Sequence, residues 1–384
     1  MSRVWWPDPH FRRRAPFDIP ASRRRGIGRQ MFRFMLAKGP VGGLRTALAV
    51  AMAMAMLCSA AGCSTDVDSL TLQHLSAEEL AIPRVKPPEA SPVEEDTETE
   101  PEIVTLEPGR GTVRGHVLSF PNRFQTKDGE YDLVVHFHGN TDAVEESYEL
   151  AGIGAALLII NLGEGADLYE RAFSDPSRMR GLRRRVREKL IARGVEKPKL
   201  RRLALSAWSA GYGAVMRIID QPEHRTVLDA VLLFDGMHAR YEPGTQTEPG
   251  ARPQLAAGDV APFVRLGERA ANDELLFMIT HSKIQPKNAD LASVRETADA
   301  VIDEVGVERT KVTGVVKPRM LQAVEGIYAR RSMLELHATS VAIKGQLLVA
   351  EYDGRSPLHH VAHLLQMSQI GLPRLALRWK HHRD

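Results

Sequence analysis

The stretch Leu203-Ala-Leu-Ser-Ala-Trp-Ser-Ala-Gly-Tyr-Gly-Ala-Val-Met216 is the most informative part of this chain. Its apolar first half is typical of a buried parallel strand, and its small-residue second half can open a helix. Between them, Ala207-Trp-Ser-Ala-Gly211 has the pattern small-x-Ser-x-small. A serine on a sharp strand-to-helix turn needs small neighbours two positions away, because larger side chains clash there. The stretch therefore indicates either a serine raised on a strained turn or an ordinary strand–helix junction.

Composition limits the protein's class. The 384 residues are 43% apolar, which is ample for a globular core. Charge is distributed unevenly, because residues 1–62 hold 11 Arg and Lys against two Asp, while the rest of the chain is net acidic. We therefore expect no nucleic-acid partner, since no part beyond the N-terminus has a basic surface composition.

The N-terminal segment, residues 1–62, has the composition of an export signal. A basic region leads into the short apolar run Thr46–Leu57, which is too short to span a bilayer comfortably. It ends in Ala60-Ala-Gly-Cys63, which resembles the bacterial lipobox, whose cysteine becomes the lipidated first residue. The resemblance implies lipidation of Cys63 and an exported protein anchored in the cell envelope, at the outer membrane or the periplasmic face. Ordinary signal-peptide cleavage near the same point is the alternative.

Residues 63–111 are predicted to be a mostly disordered tether. They contain Pro87-Pro88 and the acidic run Glu94–Glu102, and such low-hydrophobicity, like-charged sequence stays extended. Lipidation of Cys63 and removal of Cys58 would leave no cysteine for a disulfide or a thiolate metal site.

Residues 112–384 are predicted to form one α/β domain with a mostly parallel sheet flanked by helices. Continuous apolar runs predict strands covered on both faces, and strands that alternate with helices imply right-handed crossovers. We expect an edge strand at Thr112–Phe120 and a loop or cap insertion around residues 240–272. The other expected strands are Tyr131–His138, Ala155–Leu162, the run that opens at Leu203, Val227–Phe234, Glu274–Thr280 and Gly345–Tyr352, with helices around 175–193, 288–305 and 358–371.

Three separated motifs carry a resemblance to a known family. His136-Phe-His-Gly-Asn140 closes an early strand, Ala207–Gly211 holds the serine, and His359-His-Val-Ala-His363 follows the last strand. In this order the chain resembles an α/β-hydrolase over roughly residues 112–380. The resemblance implies a serine hydrolase of esterase, lipase or amidase type, acting on a small-molecule or lipid ester or amide.

The chemistry requires these parts together. A serine hydroxyl such as that of Ser209 is a poor nucleophile until an imidazole, itself held by a carboxylate, accepts its proton. The tetrahedral intermediate also needs N–H donors, which we assign to Ala210 and to either Gly139 or Asn140.

The acid and the base each have alternatives. The family usually places the acid after the strand that here ends Thr280-His-Ser282, where no carboxylate occurs. Asp235 at the end of the preceding strand is the predicted acid, although a turn residue is the plain interpretation; Asp353 is the weaker candidate. His360 is the predicted base, because it lies near the start of its helix and beside the apolar stripe, with His359 and His363 as alternatives.

We expect no cofactor and no catalytic metal. His136 and His138 share a strand face without a third ligand nearby, and His359-x-x-x-His363 lacks the glutamate of a zinc helix. A different class of function also fits the sequence: a lipoprotein that keeps the hydrolase fold as a non-catalytic binding module.

Overall fold

The computed structural model describes residues 102–245, 253–319, 321–325 and 331–381. The predicted export signal, the lipidation of Cys63 and most of the predicted tether lie outside the described residues. The last part of that tether, from Ile103 onward, is β-structure that joins the sheet. No helix in the described ranges is long and apolar enough to cross a membrane.

Strands throughout the described ranges join one mixed sheet. They are β1 (Ile103–Thr105), β2 (Gly109–Val113), β3 (His116–Phe120), β4 (Gln125–Lys127), β5 (Glu130–Phe137), β6 (Ala156–Ile160), β7 (Lys199–Trp208), β8 (Leu228–Phe234), β9 (Leu276–His281), β10 (Thr310–Val316), β11 (Leu336–Lys344) and β12 (Leu347–Asp353). Their order is β10-β11-β12-β9-β8-β7-β5-β6-β3-β2, and β4 attaches β1 to the start of β5.

The centre of the sheet is parallel, as predicted. Strands β6, β5, β7, β8, β9 and β12 run in one direction, with antiparallel pairs at both edges. The apolar runs of these strands are buried, because helices lie between successive strands and cover the sheet. The carboxyl ends of the six parallel strands consequently meet at one edge of the sheet.

Helices connect most of the parallel strands. They are α1 (Thr141–Leu150), α2 (Ala166–Phe173), α3 (Pro176–Ile191), α4 (Tyr212–Ile218), α5 (Ala257–Ala271), α6 (Val294–Val305), α7 (Pro357–Leu365), α8 (Met367–Ile370) and α9 (Leu372–His381). Helix α5 occupies the second half of the stretch predicted as a loop or cap, so these residues form one of the helices that connect the parallel strands. This helix was not predicted from the sequence, because Gly258, Pro262 and Gly267 all lower helix propensity.

The outer strands of the sheet differ from the prediction in two ways. The predicted single strand Thr112–Phe120 is the hairpin of β2 and β3, which turns at Arg114 and Gly115. Both turn residues have positive φ, of 49° and 83°, which suits a tight two-residue hairpin turn. Strands β10 and β11 were not predicted, because β10 alternates exposed and half-buried residues and lacks a continuous apolar run.

Candidate active site

Ser209 lies on a sharp turn at the carboxyl edge of the sheet. Strand β7 ends at Trp208, the residues Ser209–Gly211 form one 3-10 turn, and α4 begins at Tyr212. Ser209 has φ of 51°, a left-handed conformation that residues with a side chain rarely adopt. Such strain is concentrated at functional sites, where the surrounding packing enforces it.

The packing around this turn explains the small residues in the motif. A Cβ atom on Gly211 would lie 2.2 Å from the Phe137 carbonyl oxygen, so the turn rests directly on the end of β5. A Cβ on Gly236 would lie 2.2 Å from the Ser209 carbonyl oxygen, which packs the residues after β8 against the same turn. Glycine at these two positions is therefore a steric requirement, and it places Ser209 beside Asp235.

Asp235 follows the last residue of β8 and is 3% exposed. Its carboxylate accepts a hydrogen bond of 2.7 Å from His360 Nδ1. It also accepts bonds from the backbone N–H of Ser282, at 2.8 Å, and from the Ser282 hydroxyl, at 2.9 Å. Asp235 thus sits at the strand end where the sequence placed it, and it contacts the predicted histidine.

Several influences act on the charge of this carboxylate. Burial alone raises the pKa of Asp235, but the charge of His363 and the bond from His360 act in the opposite direction. The hydrogen bond from the Ser282 backbone adds to their effect, and the net result is a pKa below its usual range. Asp235 is therefore ionised at neutral pH and accepts a hydrogen bond from His360 Nδ1–H, so Nε2 is the acceptor nitrogen when this ring is neutral.

The three clustered histidines have different surroundings. Helix α7 begins at Pro357, and the side chain of His359 bonds the Ser356 hydroxyl at 2.7 Å at the start of this helix. His363 is fully buried and bonds the Thr280 hydroxyl through Nδ1 at 2.9 Å. His360 alone among the three bonds Asp235 in the described contacts.

The alternative acid lies elsewhere. The Asp353 side chain is 61% exposed, and its carboxylate is 3.1 Å from Lys283 Nζ. It bonds none of the three histidines among the described residues, so the structure does not bring it together with Ser209 and His360.

Trp208 connects the serine turn to His360. Its indole ring stacks on the His360 imidazole with 4.6 Å between ring centroids and 30° between planes. Ser209 follows Trp208 directly, so the serine and the imidazole belong to one cluster. Within the described residues the Ser209 hydroxyl makes no hydrogen bond, and catalytic hydrogen bonds often become short only when substrate is bound.

The predicted oxyanion donors lie at the start of two helices. The N–H of Gly139 is already used, because it donates to Asn161 Oδ1 at 3.0 Å. Asn140 caps α1 through its side chain, which accepts from the Ala143 N–H. Among the described loops, turns and helix caps the Asn140 N–H has no acceptor, so Asn140 is the better placed of the two predicted partners for Ala210.

The early histidine pair is bonded within the protein. His136 is fully buried and contacts the Ser206 hydroxyl through Nδ1 and the His138 carbonyl through Nε2, both at 2.9 Å. Both of its ring nitrogens are thus occupied, which is typical of a structural histidine. Ser206, the earlier serine of the motif, is fully buried inside β7.

Sequence reasoning missed Ser282, Trp208 and Tyr169 as parts of the site. The Tyr169 hydroxyl contacts His138 Nδ1 at 3.0 Å, and the His138 ring stacks on Trp208. An aromatic residue inside a run of small residues was the available signal for Trp208. Ser282 ends the segment Thr280–Ser282, which has no carboxylate, and it contributes by donating hydrogen bonds to Asp235 at the end of the neighbouring strand.

No family model matches this chain, and no curated protein matches it. It is similar to the solved structure of LpqC, a poly(3-hydroxybutyrate) depolymerase from Bordetella parapertussis, with 16% identity over 72% of this chain and 91% of that one, at a TM-score of 0.35. An S-formylglutathione hydrolase from Agrobacterium tumefaciens gives 12% identity over 76% and 98% of the chains, at 0.34. The enterobactin esterase of Shigella flexneri gives 9% over 72% and 60%, at 0.35.

The topology itself identifies the fold. A serine on a strained strand-to-helix turn, followed along the chain by an aspartate and then a histidine at the ends of later strands, is the arrangement of α/β-hydrolases. Here those strands are β7, β8 and β12 of one parallel sheet. The described residues therefore have an α/β-hydrolase-like fold, with Ser209, Asp235 and His360 at its carboxyl edge.

Proposed function

We propose that this protein is a serine hydrolase that cleaves ester or amide bonds with a Ser209-His360-Asp235 triad. The observation that carries the proposal is the 2.7 Å hydrogen bond between buried Asp235 and His360, beside a serine in strained backbone. A plain turn residue at position 235 does not account for a buried carboxylate bonded to an imidazole. A small-molecule or lipid ester is the substrate class that suits this chemistry.

The proposed reaction uses each group in turn. His360 Nε2 accepts the proton of Ser209 Oγ while this oxygen attacks the substrate carbonyl, and the tetrahedral oxyanion takes hydrogen bonds from the N–H groups of Ala210 and Asn140. The imidazolium then gives its proton to the leaving alcohol or amine, and an acyl-enzyme forms. Water repeats the steps, with His360 as base, and releases the acid. Asp235 stays ionised throughout and stabilises the imidazolium.

The proposal has a direct test. A fluorophosphonate probe should form a covalent adduct on Ser209, and hydrolysis of 4-nitrophenyl acetate should be lost in Ser209→Ala. Ser206→Ala is the matched control, since this serine is buried three residues earlier and should not react. An adduct on Ser206, or full activity in Ser209→Ala, would refute the assignment. A wild-type protein that folds but neither reacts nor hydrolyses esters would instead be a binding module.

We further propose that the hydrolase domain is exported and tethered to the cell envelope through lipidated Cys63. The support is the sequence alone: an apolar run followed by Ala60-Ala-Gly-Cys63 and an acidic, proline-containing linker. Cys63→Ala should move the protein from the membrane fraction to the soluble fraction or stop its processing. A Cys63→Ala protein that is processed normally and still partitions to the membrane fraction would exclude the lipid anchor.

A further inference from the structure

Trp208 contacts two imidazole rings. The His138 ring lies 5.2 Å from the indole, with 7° between planes, and the His360 ring lies 4.6 Å from it. The tryptophan is 6% exposed. The residue just before the serine therefore has an aromatic contact with the residue to which we assign the role of base.

A second contact fixes the indole to the backbone of α7. Trp208 Nε1–H donates to the His360 carbonyl oxygen at 2.9 Å. This carbonyl lies in the first turn of the helix, next to the side chain that stacks on the indole. Trp208 thus contacts both the main chain and the side chain of His360, and it connects the end of β7 to the start of α7.

The other imidazole is itself held firmly. The Tyr169 hydroxyl accepts the N–H of Leu162 at 3.1 Å, so its single proton is free to go to His138 Nδ1. Burial, with a further contribution from the charge of His360, lowers the pKa of His138 to about 4. At neutral pH this ring is therefore uncharged and packs against the indole without repelling an imidazolium at position 360.

We propose that Trp208 is the positioning residue for the base of the proposed triad. One hydrogen bond to Asp235 leaves the His360 ring free to rotate about the direction of that bond, since χ2 of histidine has a broad range. Stacking on the indole removes this freedom and turns Nε2 toward Ser209. The indole face also attracts the cation that His360 becomes during the reaction, through a cation–π interaction. This inference rests on the proposed function for its catalytic consequence, but not for the geometry.

The experiment compares two buried tryptophans with similar contacts at opposite edges of the sheet. Trp379 is 5% exposed, donates through Nε1 to Asp229 Oδ2 at 2.7 Å, and has the Arg202 guanidinium over its ring. The variants are Trp208→Phe and Trp208→Leu, with Trp379→Phe and Trp379→Leu as controls. Each is measured for kcat and KM with 4-nitrophenyl acetate and for thermal stability.

A second readout needs no activity. In proton NMR the His360 Nδ1–H that donates to Asp235 should give a downfield resonance protected from exchange with water, identified by its loss in His360→Gln. This resonance reports how well the ring is held, even if the protein hydrolyses no ester.

The expected result is a loss confined to the Trp208 variants. Trp208→Leu should lower kcat by roughly 10²-fold with KM little changed, as for a slightly misplaced catalytic group. It should also broaden or abolish the downfield resonance. Trp208→Phe keeps an aromatic face and should recover much of kcat, while both Trp379 variants keep kcat and the resonance whatever stability they lose.

Other outcomes overturn one proposal or the other. If Trp208→Leu keeps kcat and the downfield resonance, Trp208 only fills space and the inference is refuted. If Trp379→Leu lowers kcat as much as Trp208→Leu, general loss of packing explains both, which also refutes it. If wild-type protein forms no adduct on Ser209 but the resonance disappears only in Trp208→Leu, the positioning contact stands and the proposed function fails.

Discussion

Asp132 and Asp235 are buried carboxylates at opposite ends of the parallel strands, and they are held in different ways. Asp132, near the start of β5, is 5% exposed and accepts bonds from the guanidinium groups of Arg201 and Arg202, each through two nitrogens. Asp235, after β8, is 3% exposed and accepts from one histidine and one serine. Both have a lowered pKa, despite the opposing effect of burial.

The two carboxylates differ in whether their hydrogen-bond partners can release a proton. Guanidinium groups do not release protons at any physiological pH, so the Asp132 cluster is a fixed ionic contact between β5 and β7. An imidazole exchanges protons near neutrality, and His360 stands beside a serine in strained backbone. A buried carboxylate with a low pKa is therefore not evidence of a site by itself, and the proton chemistry of its partner makes the distinction.

The largest expected effect comes from replacing the three histidines of helix α7 one at a time. His360→Ala should lower kcat by several orders of magnitude, on the order of 10⁶-fold, because triad members act as a unit. His359→Ala should keep most activity, since this ring only bonds the start of its own helix. These two variants and His363→Ala are assayed on one ester at fixed pH. An inactive His359 or His363 variant beside an active His360→Ala would give the role of base to another ring.

The same substitution at Asp235 and at Asp132 tests whether the two carboxylates have different roles. Asp235→Asn should lower kcat by about 10⁴-fold, because an amide favours the wrong imidazole tautomer, while the folded state is largely retained. Asp132→Asn should instead destabilise the fold by about 3–5 kcal/mol, because it leaves two arginines without their buried partner. Urea unfolding and ester kinetics of both variants separate the two effects.

The reverse pattern would contradict this interpretation. Normal turnover in Asp235→Asn combined with a large loss in Asp353→Asn would transfer the role of acid to Asp353. A large loss of kcat in folded Asp132→Asn would show that the Asp132 ion pairs affect catalysis at the opposite end of the parallel strands.

Local sequence patterns predicted the parts of the fold that depend on burial. The continuous apolar runs around Leu205 and Leu232 gave central parallel strands, and parallel strands bring their carboxyl ends to one edge, which placed Ser209 near Asp235. Edge strands such as β10 were missed, because a strand exposed on one face carries a weaker apolar signal. The bonds of Ser282 to Asp235 and of Trp208 to His360 join residues 47 and 152 positions apart, and no local pattern encodes such pairs.

Acidification should destabilise the fold through buried His363 at the carboxyl edge. Burial lowers the pKa of His363 to about 4, whereas in the unfolded chain it is about 6.5. The unfolded state therefore binds a proton between these values and the folded state does not, so stability falls as pH drops from 6.5 toward 4. Between pH 7 and pH 5 this histidine alone should lower the free energy of unfolding by about 2 kcal/mol. The stabilising effect of Asp235 is fully present above about pH 4 and adds nothing to the slope in this window.

Urea unfolding at pH 7, 6 and 5 measures how steeply the free energy of unfolding falls with pH. His363→Gln removes one titrating group and should flatten this slope, whereas the slope should be unchanged in Asp132→Asn, whose partners do not titrate. An equal slope in wild-type protein and His363→Gln would show that this histidine is not neutral in the folded state.

The smallest expected effect concerns the backbone of Ser209. A side chain at φ of 51° costs about 1–2 kcal/mol, which glycine avoids, although glycine loses about 0.5–1 kcal/mol through its freer unfolded chain. Ser209→Gly should therefore be more stable than Ser209→Ala by up to about 1 kcal/mol, with both inactive. Urea unfolding of the two variants makes the comparison without any contribution from the hydroxyl. If Ser209→Ala is the more stable, the positive φ of Ser209 does not destabilise the folded state. The backbone conformation of Ser209 would then not support the assignment of a functional site.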